Sequence, residues 1–165
     1  MSGTSGRLDG VSILIVDDDK DIRESFDMAL QAEGATTRTV EDGNAAVAAC
    51  QGAGDAEAPD IVLLDMMLPK RSGFLVLERI KGYEDSPLVI MVTANEGRRH
   101  QAYAESLGVD AYLLKPVPIS QVIDTCVRLL DEEAAQDAAA EARATGGPGA
   151  TGGGEAGASD GPRGS

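Results

Sequence analysis

The sequence predicts a doubly wound α/β fold, a five-stranded parallel sheet with helices on both faces, and three observations carry that prediction. Strand-like and helix-like signals alternate strictly from residue 11 to residue 130, the pattern of repeated βαβ units. Three of the strand runs, ILIV (13–16), IVLL (61–64) and LVIMV (88–92), are continuously apolar, as parallel strands covered on both faces must be. Finally, polar residues close four of the strand runs: Asp17 and Asp18, Asp65, Thr93 and Lys115. A parallel sheet gathers its ligand chemistry at the carboxyl ends of its strands, so these residues would meet on one rim.

Each element has its own signal. The first strand is SILIV, followed by a helix marked by Ile22, Phe26, Ala29 and Leu30 and closed at Gly34. TTRTV (36–40) alternates apolar and polar and reads as an edge strand; Ala45 to Cys50 is a short, Ala-rich helix. After the third strand, Phe74, Leu75, Leu77 and Ile80 mark a helix ending near Gly82. After the fourth, Tyr103 and Leu107 mark a helix ending at Gly108. AYLL (111–114) is the second edge strand, and Ile119, Val122, Ile123, Cys126, Leu129 and Leu130 form the stripe of the last helix. Right-handed crossovers and buried central runs suit the order 2-1-3-4-5 of flavodoxin-like sheets, with the switch point between the first and third strands.

The flanks differ in composition. Residues 1–10 are an N-terminal extension, and residues 131–144 (DEEAAQDAAAEARA) have the propensity to extend the last helix without an apolar stripe beyond Ala. Residues 145–165 contain 9 Gly in 21 positions and are expected to be a disordered tail.

Charge and composition narrow the function. With 14 Lys and Arg against 28 Asp and Glu, the formal net charge is -14, which opposes a broad electrostatic grip on DNA or on an anionic membrane. Aromatic residues make up 3% and Trp is absent, so base-stacking platforms are disfavoured. No apolar run approaches the ~20 residues of a membrane span and the N-terminus does not resemble a signal peptide, so a cytoplasmic location is expected. Cys50 and Cys126 show no metal-ligand spacing and fall on helices expected on opposite faces of the sheet, which makes them buried thiols rather than a disulfide.

The polar stations combine carboxylates, one hydroxyl and one ammonium, a set suited to a hard divalent cation and a phosphoryl group. Crowded carboxylates repel by roughly 4 kcal/mol per close pair at an effective dielectric of ~20, so a divalent cation is needed to keep them ionised. Blander readings exist for each station. The run Asp17 to Asp21 (DDDKD) could cap the first helix, Thr93 with Glu96 could form a capping box, and Lys115 before Pro116 could end an edge strand. A Ca²⁺ loop starting at Asp17 fails because Ile22 stands where Gly is needed and Met28 where Glu is needed.

Four segments in order, ILIVDDD, LLDMMLPKRSG, VIMVTAN and AYLLKP, resemble the signatures of the response-regulator receiver domain of two-component signalling, over about residues 11–130. The resemblance implies that Asp65 is the phosphoacceptor, taking a phosphoryl group from a sensor histidine kinase or histidine phosphotransfer protein. It implies Mg²⁺ held by Asp17, Asp18, Asp65 and the backbone carbonyl of Met67. Thr93 and Lys115 would bind the phosphoryl oxygens, with a cis bond between Lys115 and Pro116. Thr93 and Tyr112 would relay the event to a downstream protein partner at the face formed by the fourth helix, fifth strand and fifth helix. Met67, apolar where relatives often carry a polar side chain, bears on the lifetime of the phosphoryl group, and Ser72 stands where an acidic or small residue is common.

The expectation is a single-domain regulator of the chemotaxis-regulator type, a self-phosphorylating switch with autodephosphorylation rather than a turnover enzyme, without direct DNA binding. One rival is a haloacid-dehalogenase-like phosphohydrolase, whose nucleophile would lie on the first strand in a DxDx(T/V) run; Asp21 occupies the last position here. The other is a phosphorylation-independent receiver scaffold, against which Asp65, Thr93 and Lys115 all speak. His100, the one histidine, lies in the basic cluster Arg98, Arg99, His100 and reads as part of a solvated face.

Overall fold

The computed structural model describes residues 6–51, 57–83, 85–94 and 97–146. Its elements run β1 (Ser12–Val16), α1 (Lys20–Ala32), β2 (Thr36–Val40), α2 (Gly43–Cys50), β3 (Ile61–Leu64), α3 (Gly73–Lys81), β4 (Leu88–Thr93), α4 (Arg98–Ser106), β5 (Ala111–Leu114) and α5 (Ile119–Gly146). All strand pairs are parallel and the order is β2-β1-β3-β4-β5, as expected. The continuously apolar runs are the central strands: β3 and β4 are buried throughout, and β1 is buried from Ile13 onward. The alternating and short runs, β2 and β5, form the edges and stay partly exposed.

Register is what aligns the functional rim. Val16 pairs with Leu64 and with Val40, so the residues that follow, Asp17 and Asp65, leave adjacent strands at one height. Thr93 pairs with Leu114, which puts Lys115 one step beyond Thr93. The ladder continues one bond past these pairs: the amide of Asp65 donates to the Val16 carbonyl at 3.0 Å and that of Lys115 to the Thr93 carbonyl at 2.9 Å.

Helix ends follow local chemistry. Asp19 caps α1, its carboxylate accepting from the amides of Asp21 and Ile22, and Gly34 beyond the last turn adopts φ 94°, a left-handed conformation that costs glycine least. Asp42 caps α2 and Ser72 caps α3. For α4 the cap is Gly97, with no side-chain cap bond, so Thr93 lies four residues before the cap and does not form the capping box that its spacing with Glu96 suggested; Glu96 lies outside the described residues.

Two helices present different faces from those their periodicity suggested. In α3 the buried set is Val76, Leu77 and Ile80, while Leu75 is 55% exposed. A Cβ on Gly73 would lie 2.4 Å from the Asp65 carbonyl oxygen, and this close approach sets the rotation of the helix. In α4 only Ala104 is buried and Tyr103 is about half exposed, because the small residue lets the helix sit close while Tyr103 packs edge-on against Phe74 at 5.0 Å.

Within the N-terminal extension Leu8 is fully buried and its amide donates to the Glu33 carbonyl at 2.9 Å, while Arg7 pairs with Asp124 at 2.8 Å. Cys50 on α2 and Cys126 on α5 are both buried and free, and burial pushes their thiols up to about 11 and about 12. The chain divides into two units, Met1–Leu129 and Leu130–Ser165. In the second, residues 131–144 are helical and exposed throughout; of residues 145–165, expected to be disordered, 145 and 146 end α5 and the rest lie outside the described residues.

Leu8→Ala should cost about 2–5 kcal/mol in chemical denaturation, the range for emptying a closed aliphatic site. A loss below about 0.5 kcal/mol, the scale of a surface substitution, would show that Leu8 is not part of the core.

Candidate functional site

The carboxylate and ammonium stations meet, and Thr93 ends β4 beside them, its carbonyl accepting from the Lys115 amide. Asp17 and Asp65 are buried, Thr93 is fully buried, and Asp18 is exposed at the rim. One carboxylate oxygen from each of Asp17, Asp18 and Asp65 can be chosen so that all lie within 4.8 Å of one another. The Lys115 ammonium donates to Asp17 Oδ2 at 2.7 Å and forms an ion pair with Asp65 Oδ2 at 3.4 Å, joining residues 98 positions apart in sequence. The Lys115–Pro116 bond is cis, in keeping with the resemblance.

The two buried carboxylates are not equivalent. Asp17 is engaged on both oxygens: Oδ1 accepts from the Asp19 amide at 2.9 Å and Oδ2 from Lys115. Its backbone carbonyl accepts from Arg23 Nη1 at 2.8 Å. Asp65 is held more loosely, with Oδ1 accepting from the Met67 amide at 3.5 Å. Burial raises the Asp65 carboxyl above its ordinary value; Lys115 opposes that rise and the charge of Asp17 adds to it. For Lys115, burial lowers the ammonium's value, but the hydrogen bond to Asp17 and the charge of Asp65 outweigh it and the net shift is upward.

This donor set fits a hard divalent cation. Three carboxylates face one ammonium, which leaves uncompensated negative charge on oxygen donors a few ångströms apart. The acidic run at the start of α1 is divided in its duties, since Asp19 caps the helix while Asp17 and Asp18 join the cluster.

Other residues singled out in the sequence lie around this centre. The Met67 side chain is 68% exposed beside it. Tyr112, on β5 opposite Met91, is half-buried against the core, and burial raises its phenol. His100 is exposed on α4 with its ring stacked on Phe74 at 5.9 Å.

Two residues of the site were not foreseen. Arg23, six positions after Asp17, reaches back from α1, a contact that α-helical phase permits but composition alone does not single out. Gly73, inside the LLDMMLPKRSG segment, packs directly against the end of β3 at Asp65: its amide donates to the Met66 carbonyl at 2.8 Å and it has no room for a side chain. A glycine eight residues after a strand-end acid, opening a helix, was the available signal.

Against known proteins, residues 13–126 match the response regulator receiver domain family, and the chain belongs to it. Among curated relatives, the Probable transcriptional regulatory protein TcrX of Mycobacterium tuberculosis is 35% identical over 119 residues, covering 71% of this chain and 49% of TcrX. The sensory transduction protein RegX3 of the same species is 38% identical over 112 residues, covering 68% and 47%. The chain therefore spans about half the length of the curated relatives it matches. Among solved structures, a CheY-like receiver domain protein from Methanospirillum hungatei superposes with a TM-score of 0.68 at 27% identity, covering 76% of this chain and 98% of that one. DrrB of Thermotoga maritima, an OmpR/PhoB homologue, gives 0.65 at 29% identity, covering 74% and 54%. These relatives are signalling regulators rather than metabolic enzymes.

The raised Asp65 carboxyl has a consequence for stability. A carboxyl whose folded value exceeds its unfolded one contributes stability that is fully present below the unfolded value and is lost as pH rises through the folded value. At pH 7 without divalent cations, ionised Asp65 therefore costs stability, and Asp65→Asn should melt higher than wild type. The gain should shrink as pH falls through the raised folded value and be gone below the ordinary Asp value of about 4, where the carboxyl is protonated in both states. A variant less stable than wild type at pH 7 would show that attraction to Lys115 outweighs burial.

Proposed function

We propose that the chain is a Mg²⁺-dependent phosphoaspartyl switch in which Asp65 accepts a phosphoryl group from a phosphohistidine on a sensor kinase or phosphotransfer protein. The observation that carries this reading is the asymmetry of the two buried carboxylates. Asp17 has both oxygens in short hydrogen bonds, whereas the contacts of Asp65 are long on both, Oδ1 at 3.5 Å from the Met67 amide and Oδ2 at 3.4 Å from the Lys115 ammonium. The same asymmetry argues against the phosphohydrolase alternative, which needs the first-strand acid as nucleophile.

In the proposed step an Asp65 oxygen attacks phosphorus, the bond from phosphorus to the donor imidazole nitrogen breaks, and the imidazole takes up a proton as it leaves. Asp17, Asp18, Asp65 and the Met67 carbonyl would hold Mg²⁺, which supplies charge to offset the phosphoryl oxygens and to keep the carboxylates ionised. Lys115 exchanges its bond to Asp17 for one to a phosphoryl oxygen, and Thr93 donates its hydroxyl to another. The exposed Met67 side chain cannot orient a hydrolytic water, which favours a long-lived phosphoryl group.

Output is a change of binding surface on α4, β5 and α5, relayed through Thr93 and Tyr112, and such a surface serves a stand-alone regulator as well as longer ones of the TcrX and RegX3 kind. The net charge of -14 opposes a direct electrostatic grip on DNA by this chain. No helix among the described residues is long and apolar enough to cross a membrane, and the proposed kinase partner implies a cytoplasmic site of action.

Incubation with a small phosphodonor and Mg²⁺ should give a single phosphoryl adduct by intact mass, abolished by Asp65→Asn. Phosphate turnover that survives in Asp65→Asn but is lost in Asp17→Asn would replace this reading with the phosphohydrolase.

The relay has its own requirement. Moving a switch from about 1% to 99% active takes roughly 5.5 kcal/mol of differential interaction, more than one charge-assisted hydrogen bond supplies. Mg²⁺, Lys115 and Thr93 must act together. With a non-hydrolysable phosphoryl mimic, amide NMR shifts should spread across α4, β5 and α5 in wild type but stay near Asp65 in Thr93→Ala; equal distal shifts in both would sink the relay.

A further inference from the structure

The strand-end site leaves a second concave surface unused. An open groove of about 690 Å³ lies between α2 and α3, and its chemistry is opposite to that of the chain as a whole. Among the described residues, Lys70, Arg71 and Arg79 line it against one acid, Glu78, so this lining is cationic on a molecule whose net charge is -14. Arg71 is placed by a hydrogen bond from its Nε to Asn44 Oδ1 at 3.2 Å, and Lys70 is anchored to Asp42 at 3.7 Å. Lys70 also adopts φ 69°, a left-handed conformation that is unfavourable for a residue with a side chain, so the loop accepts strain at the position where this cation stands. An apolar element sits among the charges: Leu75, 55% exposed, lies in the groove together with Tyr83, whose buried hydroxyl has no hydrogen-bond partner among the described residues.

We propose that this groove docks an acidic peptide segment of a partner protein, one that carries an aliphatic or aromatic anchor. Arginine forks match carboxylates in two-point geometry, which fits them to Asp and Glu side chains on such a segment. Exposed Leu75 between the cations gives the anchor a dry contact and distinguishes a peptide from a small inorganic anion, which would gain nothing from it. The repulsion that an acidic chain exerts on acidic partners elsewhere makes this groove selective for where such a segment lands. The site is distinct from the α4, β5 and α5 face. It rests on the loop that leads directly from Asp65 to Gly73, so a segment bound here contacts the phosphoacceptor's own loop.

The test uses the full chain without phosphodonor or Mg²⁺, so that its outcome is independent of phosphorylation. A short fluorescein-labelled peptide rich in Glu and Asp with one central Leu is titrated and read by anisotropy. Arg71→Ala with Arg79→Ala should weaken binding by ~10-fold or more, and Leu75→Ala, which changes no charge, by ~3-fold or more. Arg98→Ala with Arg99→Ala removes the same charge from α4, the other cationic corner, and should leave affinity within about 2-fold. Equal losses in both double variants would reduce the effect to general charge, and loss only in the α4 pair would move the docking site there. Pyrophosphate that displaces the peptide as well as unlabelled peptide does, with no effect of Leu75→Ala, would overturn the peptide in favour of a small-anion site. Circular dichroism melts of each variant, altered at the half-buried Arg71 and at the exposed Leu75, Arg79, Arg98 and Arg99, separate lost docking from lost folding.

Discussion

Two carboxylates buried at the ends of adjacent strands, with one lysine ammonium shared between them, are the constraint on which the rest of the site depends. Asp17 and Asp65 leave β1 and β3 at the same height because Val16 and Leu64 are register partners. That closeness is costly in a dry environment and would drive one acid to protonate. Lys115, reaching in from β5, offsets part of the cost, and the site keeps an appetite for further positive charge. A hard divalent cation is what such a centre accommodates best.

Holding this arrangement requires support from beyond the carboxylates. Arg23 binds the Asp17 carbonyl, Asp19 ties its amide to the Asp17 side chain while capping α1, and Gly73 lets α3 pack against the Asp65 backbone. These contacts fix Asp17 far more firmly than Asp65. In the proposed reaction this difference separates two chemically identical groups: Asp17 is held on each oxygen by a short hydrogen bond, and Asp65, held by longer contacts, is the one placed to react.

The same packing ties the centre to the surface. Gly73 abuts the Asp65 backbone, and the next residue, Phe74, stacks on His100 and meets Tyr103, both on α4. On the other side Thr93 and Lys115 join β4 to β5, where Tyr112 sits half-buried. Asp65 is thus joined to both α4 and β5 through short, packed routes, and the proposed switch would use them to turn a change of charge at Asp65 into a change of surface.

Much of this was legible in the sequence. Continuous apolar runs mark strands covered on both faces, helical spacing marks the covering layers, and polar residues closing four strand runs mark the reactive rim, because each signal arises from neighbours a few residues apart. The edge positions of TTRTV and AYLL followed from the same logic. Tertiary structure alone decided which face of α3 and α4 turns inward, that Thr93 stands apart from the α4 cap, that Lys115 rests on Asp17, and that Lys70, Arg71 and Arg79 share a groove. The reason is that helix rotation and long-range charge pairing depend on packing between elements distant in sequence. A close approach such as that of Gly73 to Asp65, or an ion pair spanning 98 residues, exists only once the sheet register has brought its partners together.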